Sequence, residues 1–85
     1  MEIATKDADE AAFFWVQEGF GLVRTELKYG YRKKVLWFVF KTELDEKALE
    51  SLRNDYMNGK TVVEPKAYAA KRAEVKNLIR ENVFS

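Results

Sequence analysis

The segment FGLVRTELKYGYRKKVLWFVFK, Phe20 to Lys41, decides the fold. Its second half sets three consecutive basic residues, Arg32, Lys33 and Lys34, before six unbroken apolar ones, Val35 to Phe40. Its first half has a period of two, with Phe20, Leu22, Arg24 and Glu26 on one face of a strand and Val23, Thr25 and Leu27 on the other. A tight turn at Tyr29-Gly30 makes the pair a hairpin, with Glu26 opposite Lys33, Leu22 opposite Trp37 and Val23 opposite Leu36. The second strand is apolar on both faces, which predicts a central strand covered on both sides, at least at its far end.

Working outward, DADEAAFFWVQEG predicts a helix capped by Asp7, with Glu10 at capping-box spacing and Gly19 past its end. At 100° per residue, Ala8, Ala11, Ala12, Trp15 and Val16 share one broad face, and Phe13 and Phe14 project from its flanks. So much apolar surface needs burial on more than one side, as a wedge in the core or against another chain. TELDEKALESLRNDYMNG is the clearest helix, with Ala48, Leu49, Leu52 and Tyr56 as its stripe, Thr42 or Asp45 as cap, and Asn58-Gly59 as stop. KTVVEP predicts a short strand, and Pro65 opens a last helix that runs to about Asn82 with Tyr68, Val75, Leu78 and Ile79 inward. The expected architecture is one α+β domain over residues 1–85, in the order α-β-β-α-β-α. Its three-stranded, mostly antiparallel sheet contains one parallel crossover and is packed by helices.

Composition excludes much chemistry. The 85 residues contain no cysteine and no histidine, so disulfides, thiolate catalysis and the usual zinc, copper and iron sites are out. The glycines at 19, 21, 30 and 59 match no phosphate-binding or dinucleotide loop, and no cofactor is expected. An acid or base would have to be a carboxylate, lysine or tyrosine of shifted pKa, and no pairing of such groups stands out, so an enzyme is not expected. The longest apolar run, VLWFVF, is far below the ~20 residues of a membrane span. The acidic start MEIATKDADE is unlike a signal peptide, and a cytoplasmic protein is expected. Asp7, Asp9 and Glu10 suggest a divalent ion, but Asp7 and Asp9 lie about 200° apart on a helix and suit capping better, so no metal is expected.

Charge is balanced overall, at +1, and sorted along the chain: residues 1–20 carry −4, 21–41 carry +5, 42–59 carry −3 and 60–85 carry +3. Arg24, Lys28, Arg32, Lys33 and Lys34 gather round the hairpin tip, where phosphates could approach and Tyr29 and Tyr31 could stack on bases. Against this, lysines at strand ends also serve solubility and guard edges, and the pI of 7.9 is below the ~9 usual for a nucleic-acid-binding domain. The row Arg72, Lys76 and Arg80 on the last helix is a weaker candidate, sharing its helix with Glu74 and Glu81. Phe13, Phe14, Trp15 and Trp37 exceed what one three-stranded layer buries comfortably, which points to a protein interface, a twofold homodimer among the options.

The chain resembles a family of short, uncharacterised prokaryotic domains met in bacterial, archaeal and phage-like genomes. The shared landmarks are TKD (Thr5–Asp7), GF (Gly19-Phe20), FVF (Phe38–Phe40), YMNG (Tyr56–Gly59), VEP (Val63–Pro65, with Glu64 where aspartate is expected) and VKNLI (Val75–Ile79). That family has no established activity, so the resemblance implies a small intracellular protein and carries over no catalytic residue. Together these features lead to the expectation of a non-enzymatic binding module acting through protein contacts. The alternative is a nucleic-acid-binding accessory protein that uses the tip, and neither needs a membrane.

Overall fold

The structure is a computed structural model describing residues 1–84. Its elements are β1 (Glu2–Thr5), α1 (Ala8–Val16), β2 (Phe20–Gly30), β3 (Lys33–Thr42), α2 (Glu46–Met57) and α3 (Pro65–Val83). The class is α+β, with three helices and a three-stranded antiparallel sheet in the order β1-β3-β2. The β2-β3 hairpin stands where the alternation placed it, and β3 is the central strand.

The third strand comes from a different part of the chain. KTVVEP is not extended into the sheet: Val62 is 94% exposed, and only Val63 packs on the core. The place beside β3 is taken by EIAT at the amino terminus, which pairs antiparallel with residues 38–41 and alternates outward Glu2 and Ala4 with buried Ile3 and Thr5. Among the described residues every strand pair is accordingly antiparallel, and the expected parallel crossover is not formed.

The hairpin register also differs from the expected one, for two reasons. Gly30 is part of the ladder opposite Lys33, so the turn is Tyr31-Arg32 and Glu26 meets Trp37 instead of Lys33. In addition, Leu22 pairs with Phe40 and Arg24 with Val39, leaving Val23 as an extra residue, a β-bulge. The bulge resolves a conflict in the sequence. Strict alternation would put Arg24 and Glu26 on the face of Phe20 and Leu22; one unpaired residue flips the phase. Phe20, Leu22, Thr25 and Leu27 thereby all turn inward, while Arg24, Glu26 and Lys28 turn outward with Trp37 and Val39.

The inner face of β3, Leu36, Phe38, Phe40 and Thr42, is buried beneath the helices. Its outer residues Val35, Trp37 and Val39 lie outside the core cluster. That face carries no helix, yet at the far end of β3 its Val39 is buried, beside Arg24, which is bonded to Glu2 at 3.1 Å and Glu26 at 2.8 Å and spans the face from edge to edge; Val35 and Trp37 nearer the tip are only half-buried.

Helix α1 is the wedge. Ala11, Ala12, Phe13 and Phe14 are all buried, and the two rings that project from its flanks find separate partners. Phe14 stacks on Phe20 at 5.4 Å and meets Phe40 edge-on at 6.0 Å; Phe13 stacks on Tyr56 of α2 at 4.6 Å. Aromatic pairs of this kind add about 0.5–1.5 kcal/mol each to the burial itself. Beyond them, Val75, Leu78 and Ile79 of α3 and Leu49 and Leu52 of α2 close the core.

Caps set the helix boundaries. Asp7 Oδ1 accepts from the backbone N–H groups of Asp9 (2.8 Å) and Glu10 (3.1 Å), and Thr5 Oγ1 accepts from that of Asp7. Asp45 caps α2. Its end is a Schellman turn in which the Lys60 and Gly59 N–H groups donate to the carbonyls of Asp55 and Tyr56, which requires the left-handed φ of 69° at Gly59. Glu64 reaches the Ala67 N–H at 2.6 Å, with Pro65 at the first position of α3. No described helix is long and apolar enough to cross a membrane.

The radius of gyration, 13.1 Å, exceeds the about 12 Å usual for this length. The hairpin accounts for the difference: past Leu27 and Leu36 both strands run on with every side chain but the half-buried Val35 exposed.

If the bulge is a phase corrector, deleting Val23 restores plain alternation with every inward residue kept, and the variant melts cooperatively close to the parent. An alanine inserted between Glu26 and Leu27 turns Leu27 outward and lowers the midpoint by about 10 °C or more; circular dichroism melts check both.

Candidate nucleic-acid interface

The residues singled out by sequence divide into three places. Phe13 and Phe14, expected at a protein interface, are core residues instead, because α2, through Tyr56, completes a second wall round α1 opposite the sheet. Trp15 is half-buried on the helix side, edge-on to Phe40 at 6.4 Å and under Lys71 Nζ at 4.3 Å. Trp37 is half-buried on the opposite, outer face. The four aromatics therefore do not converge on one surface.

The basic residues divide too. Arg24 is not at the tip: it lies mid-sheet, its guanidinium held protonated more firmly than usual by the Glu26 and Glu2 hydrogen bonds. Arg72 is occupied by Asp9 at 2.6 Å, which likewise raises its pKa. Arg53 holds Glu10, 8% exposed, at 2.8 Å while its guanidinium stands 5.5 Å from the Phe14 ring. The acids of DADE thus have distinct structural tasks: Asp7 caps, Asp9 docks α3 and Glu10 docks α2.

Lys28, Arg32, Lys33 and Lys34 remain, and among the described residues none of them forms an ion pair. No acid occurs between Leu27 and Thr42, so the tip is a local concentration of positive charge on a chain whose total is only +1. Tyr29 and Tyr31 are 72% and 87% exposed, beyond the reach of any helix. Lys34 Nζ stands 5.9 Å from the Tyr29 ring centre and the Arg32 guanidinium 5.0 Å from that of Tyr31. Such exposed cation–π contacts are worth about 0.5–1 kcal/mol each. They order the tip without neutralising it.

Arg32 has a φ of 66°, the left-handed region. A residue with a β-carbon is strained there by about 1 kcal/mol relative to glycine. Gly30, the tip's own glycine, is not at the position that needs it.

Alternation places Lys28 and Lys33 outward and Tyr29 and Lys34 inward, with Tyr31-Arg32 at the apex, so cations and rings surround the end of the hairpin. Outward from Lys28 the charge continues: its Nζ lies 4.9 Å from the centre of the Trp37 ring, and Lys6 Nζ lies 5.9 Å from it. Sequence reasoning missed Lys6. The signal was the alternation Glu2, Ala4, Lys6 against Ile3 and Thr5, legible only once EIAT is taken as a strand.

The concave sites are elsewhere. A groove of about 390 Å³ between β1 and α2 is lined by Ile3, Leu49 and Arg53 together with Glu2, Glu46 and Glu50, and its charge is opposite in sign to the tip. Burial, with the Tyr68 phenol and nearby acids, pushes Tyr56 up to about 12, and burial with Asp9 raises Tyr68. Comparison with known proteins finds no matching family model, curated protein or solved structure.

Two outcomes follow. Tyr56 keeps its proton to about pH 12 when folded but loses it near 10 when unfolded, so its contribution is complete below pH 10 and is lost as pH rises toward 12. Melts in that window should fall less steeply for Tyr56→Phe than for the parent. Arg32→Gly relieves the backbone strain at that position but loses the contact with Tyr31, two effects of similar size, and should leave the melting midpoint close to the parent's, so any loss of ligand affinity in that variant reports a contact and not unfolding.

Proposed function

We propose that the chain is a non-enzymatic binding module whose ligand is nucleic acid, gripped by the hairpin tip. The observation that carries this reading is a projecting end bearing Lys28, Arg32, Lys33 and Lys34 without a carboxylate partner among the described residues, beside two exposed tyrosines. Phosphates release counterions on meeting such cations, and exposed phenol rings offer stacking surfaces to unpaired bases. The modest pI is compatible with this, because Glu2, Asp9, Glu10 and Glu26 are each engaged by an arginine of the body. The non-enzymatic reading is supported by the direction of the tyrosine shifts, away from the neutral range where a general base works.

Association through protein contacts is the second reading. Burial of Phe13 and Phe14 weakens its original motive, and what favours it now is the free edge of β2, 11 residues long. The charged outward residues and the bulge on that strand oppose edge pairing, which places this reading behind the first.

Fluorescence anisotropy with labelled single-stranded and duplex oligonucleotides tests both. Four tip cations predict a log–log salt slope of about −3 on single strands, hence a loss of roughly 50-fold between about 50 and 200 mM salt. Replacing Arg32, Lys33 and Lys34 by Gln should flatten the slope by about 2. Absence of binding at the lower salt, with light scattering showing a mass of twice 9.9 kDa, would transfer the function to β2.

A further inference from the structure

The outer face of the sheet is a surface without a covering helix, and its chemistry is uneven. At its centre Trp37 stands on the middle strand, half-buried and outside the core cluster, with Lys28 from β2 on one side and Lys6 from the β1–α1 connection on the other. Lys33 lies four residues away on the same strand and face, two steps of about 6.6 Å toward the tip. Glu2 and Glu26, the acids of this face, are both bonded by Arg24, whereas Lys6, Lys28 and Lys33 form no ion pair among the described residues. Charge left over on the face is therefore positive, and it runs without interruption into the tip.

We infer that this face is a single-strand-specific extension of the tip site, in which the Trp37 indole receives an unpaired base and Lys6 and Lys28 take the flanking phosphates. The inference rests on the nucleic-acid reading of the tip and names the form of nucleic acid it would take. The geometry is suited to the exchange. Both lysines now stand near the indole through exposed, weak contacts, and swinging aside gives each of them a phosphate oxygen while freeing a ring face for a stronger stacking partner. A duplex could lie along the tip cations, but its bases are already stacked on one another and cannot enter between two lysines to reach the indole. An anionic protein segment would satisfy the lysines without needing the indole.

The test uses the intact chain carrying Trp15→Phe, so that Trp37 is its sole indole. Its emission is followed while a thymidine oligonucleotide of about 12 residues and a duplex of the same length are titrated in, with anisotropy recorded in parallel. Strong quenching by the single strand with little by the duplex is expected. Lys6→Gln and Lys28→Gln, on exposed side chains, should each weaken single-strand binding several-fold while sparing the melting midpoint, and Trp37→Leu should weaken it about tenfold. Anisotropy binding that depends on Arg32, Lys33 and Lys34 while Trp37 emission stays unchanged would overturn the inference and leave the tip site standing. Equal quenching by duplex would also overturn it. No binding of either oligonucleotide would remove the tip reading together with this one.

Discussion

Burial of Phe13 and Phe14 on two sides of one short helix is the constraint on which the rest depends. A chain of 85 residues has a total stability of about 4–13 kcal/mol, and truncating either ring would cost about 3–5 of it. Adjacent residues on a helix point about 100° apart, so both rings can be enclosed only if two different walls are present. The sheet supplies one, through Phe20 and Phe40; Tyr56 of α2 supplies the other. The ion pairs of Glu10 with Arg53 and Asp9 with Arg72 fasten α2 and α3 to the same helix. With β1 and both later helices recruited round α1, the outer sheet face keeps only Val39 buried and leaves Trp37 half-exposed.

The bulge at Val23 does the corresponding work within the sheet. A strand of alternating residues can show only one set to the core, and β2 carries apolar side chains in two phases, Phe20 and Leu22 in one and Leu27 in the other. One unpaired residue reconciles them, at the cost of a ladder bond and an exposed valine. The same step sends Arg24, Glu26 and Lys28 together to the outer face. Core formation and the charge pattern of the open face are thus consequences of one local irregularity.

Charge sorting along the chain becomes charge separation in space. Three arginines of the body, Arg24, Arg53 and Arg72, are taken up by carboxylates of elements distant in sequence. On the hairpin and the face behind it, by contrast, Lys6, Lys28, Arg32, Lys33 and Lys34 form no ion pair among the described residues, and no carboxylate stands between Leu27 and Thr42 to offset them. A near-zero net charge can therefore accompany a strongly basic end, and whole-chain pI is a poor guide to it.

The helices were legible from sequence because their signals are local: Asp7, Asp45 and Glu64 cap through their own first turns, and Gly59 closes its helix within six residues. The hairpin and the central place of β3 were legible as well, from a run of apolar residues too long for an edge. The cations and tyrosines of the tip could be named from their order alone. What only the tertiary structure decided was pairing. Four residues at the amino terminus have no intrinsic preference strong enough to mark a strand, and they become one because β3 offers an open ladder with Phe38 and Phe40 demanding inward partners. KTVVEP has the better strand composition, but it lies between α2 and α3 and must carry the chain from one to the other. The fates of Phe13 and Trp37, one enclosed and one left on an open face between two lysines, follow from that choice of third strand, which depends on contacts between residues about 35 positions apart and not on the composition of either segment.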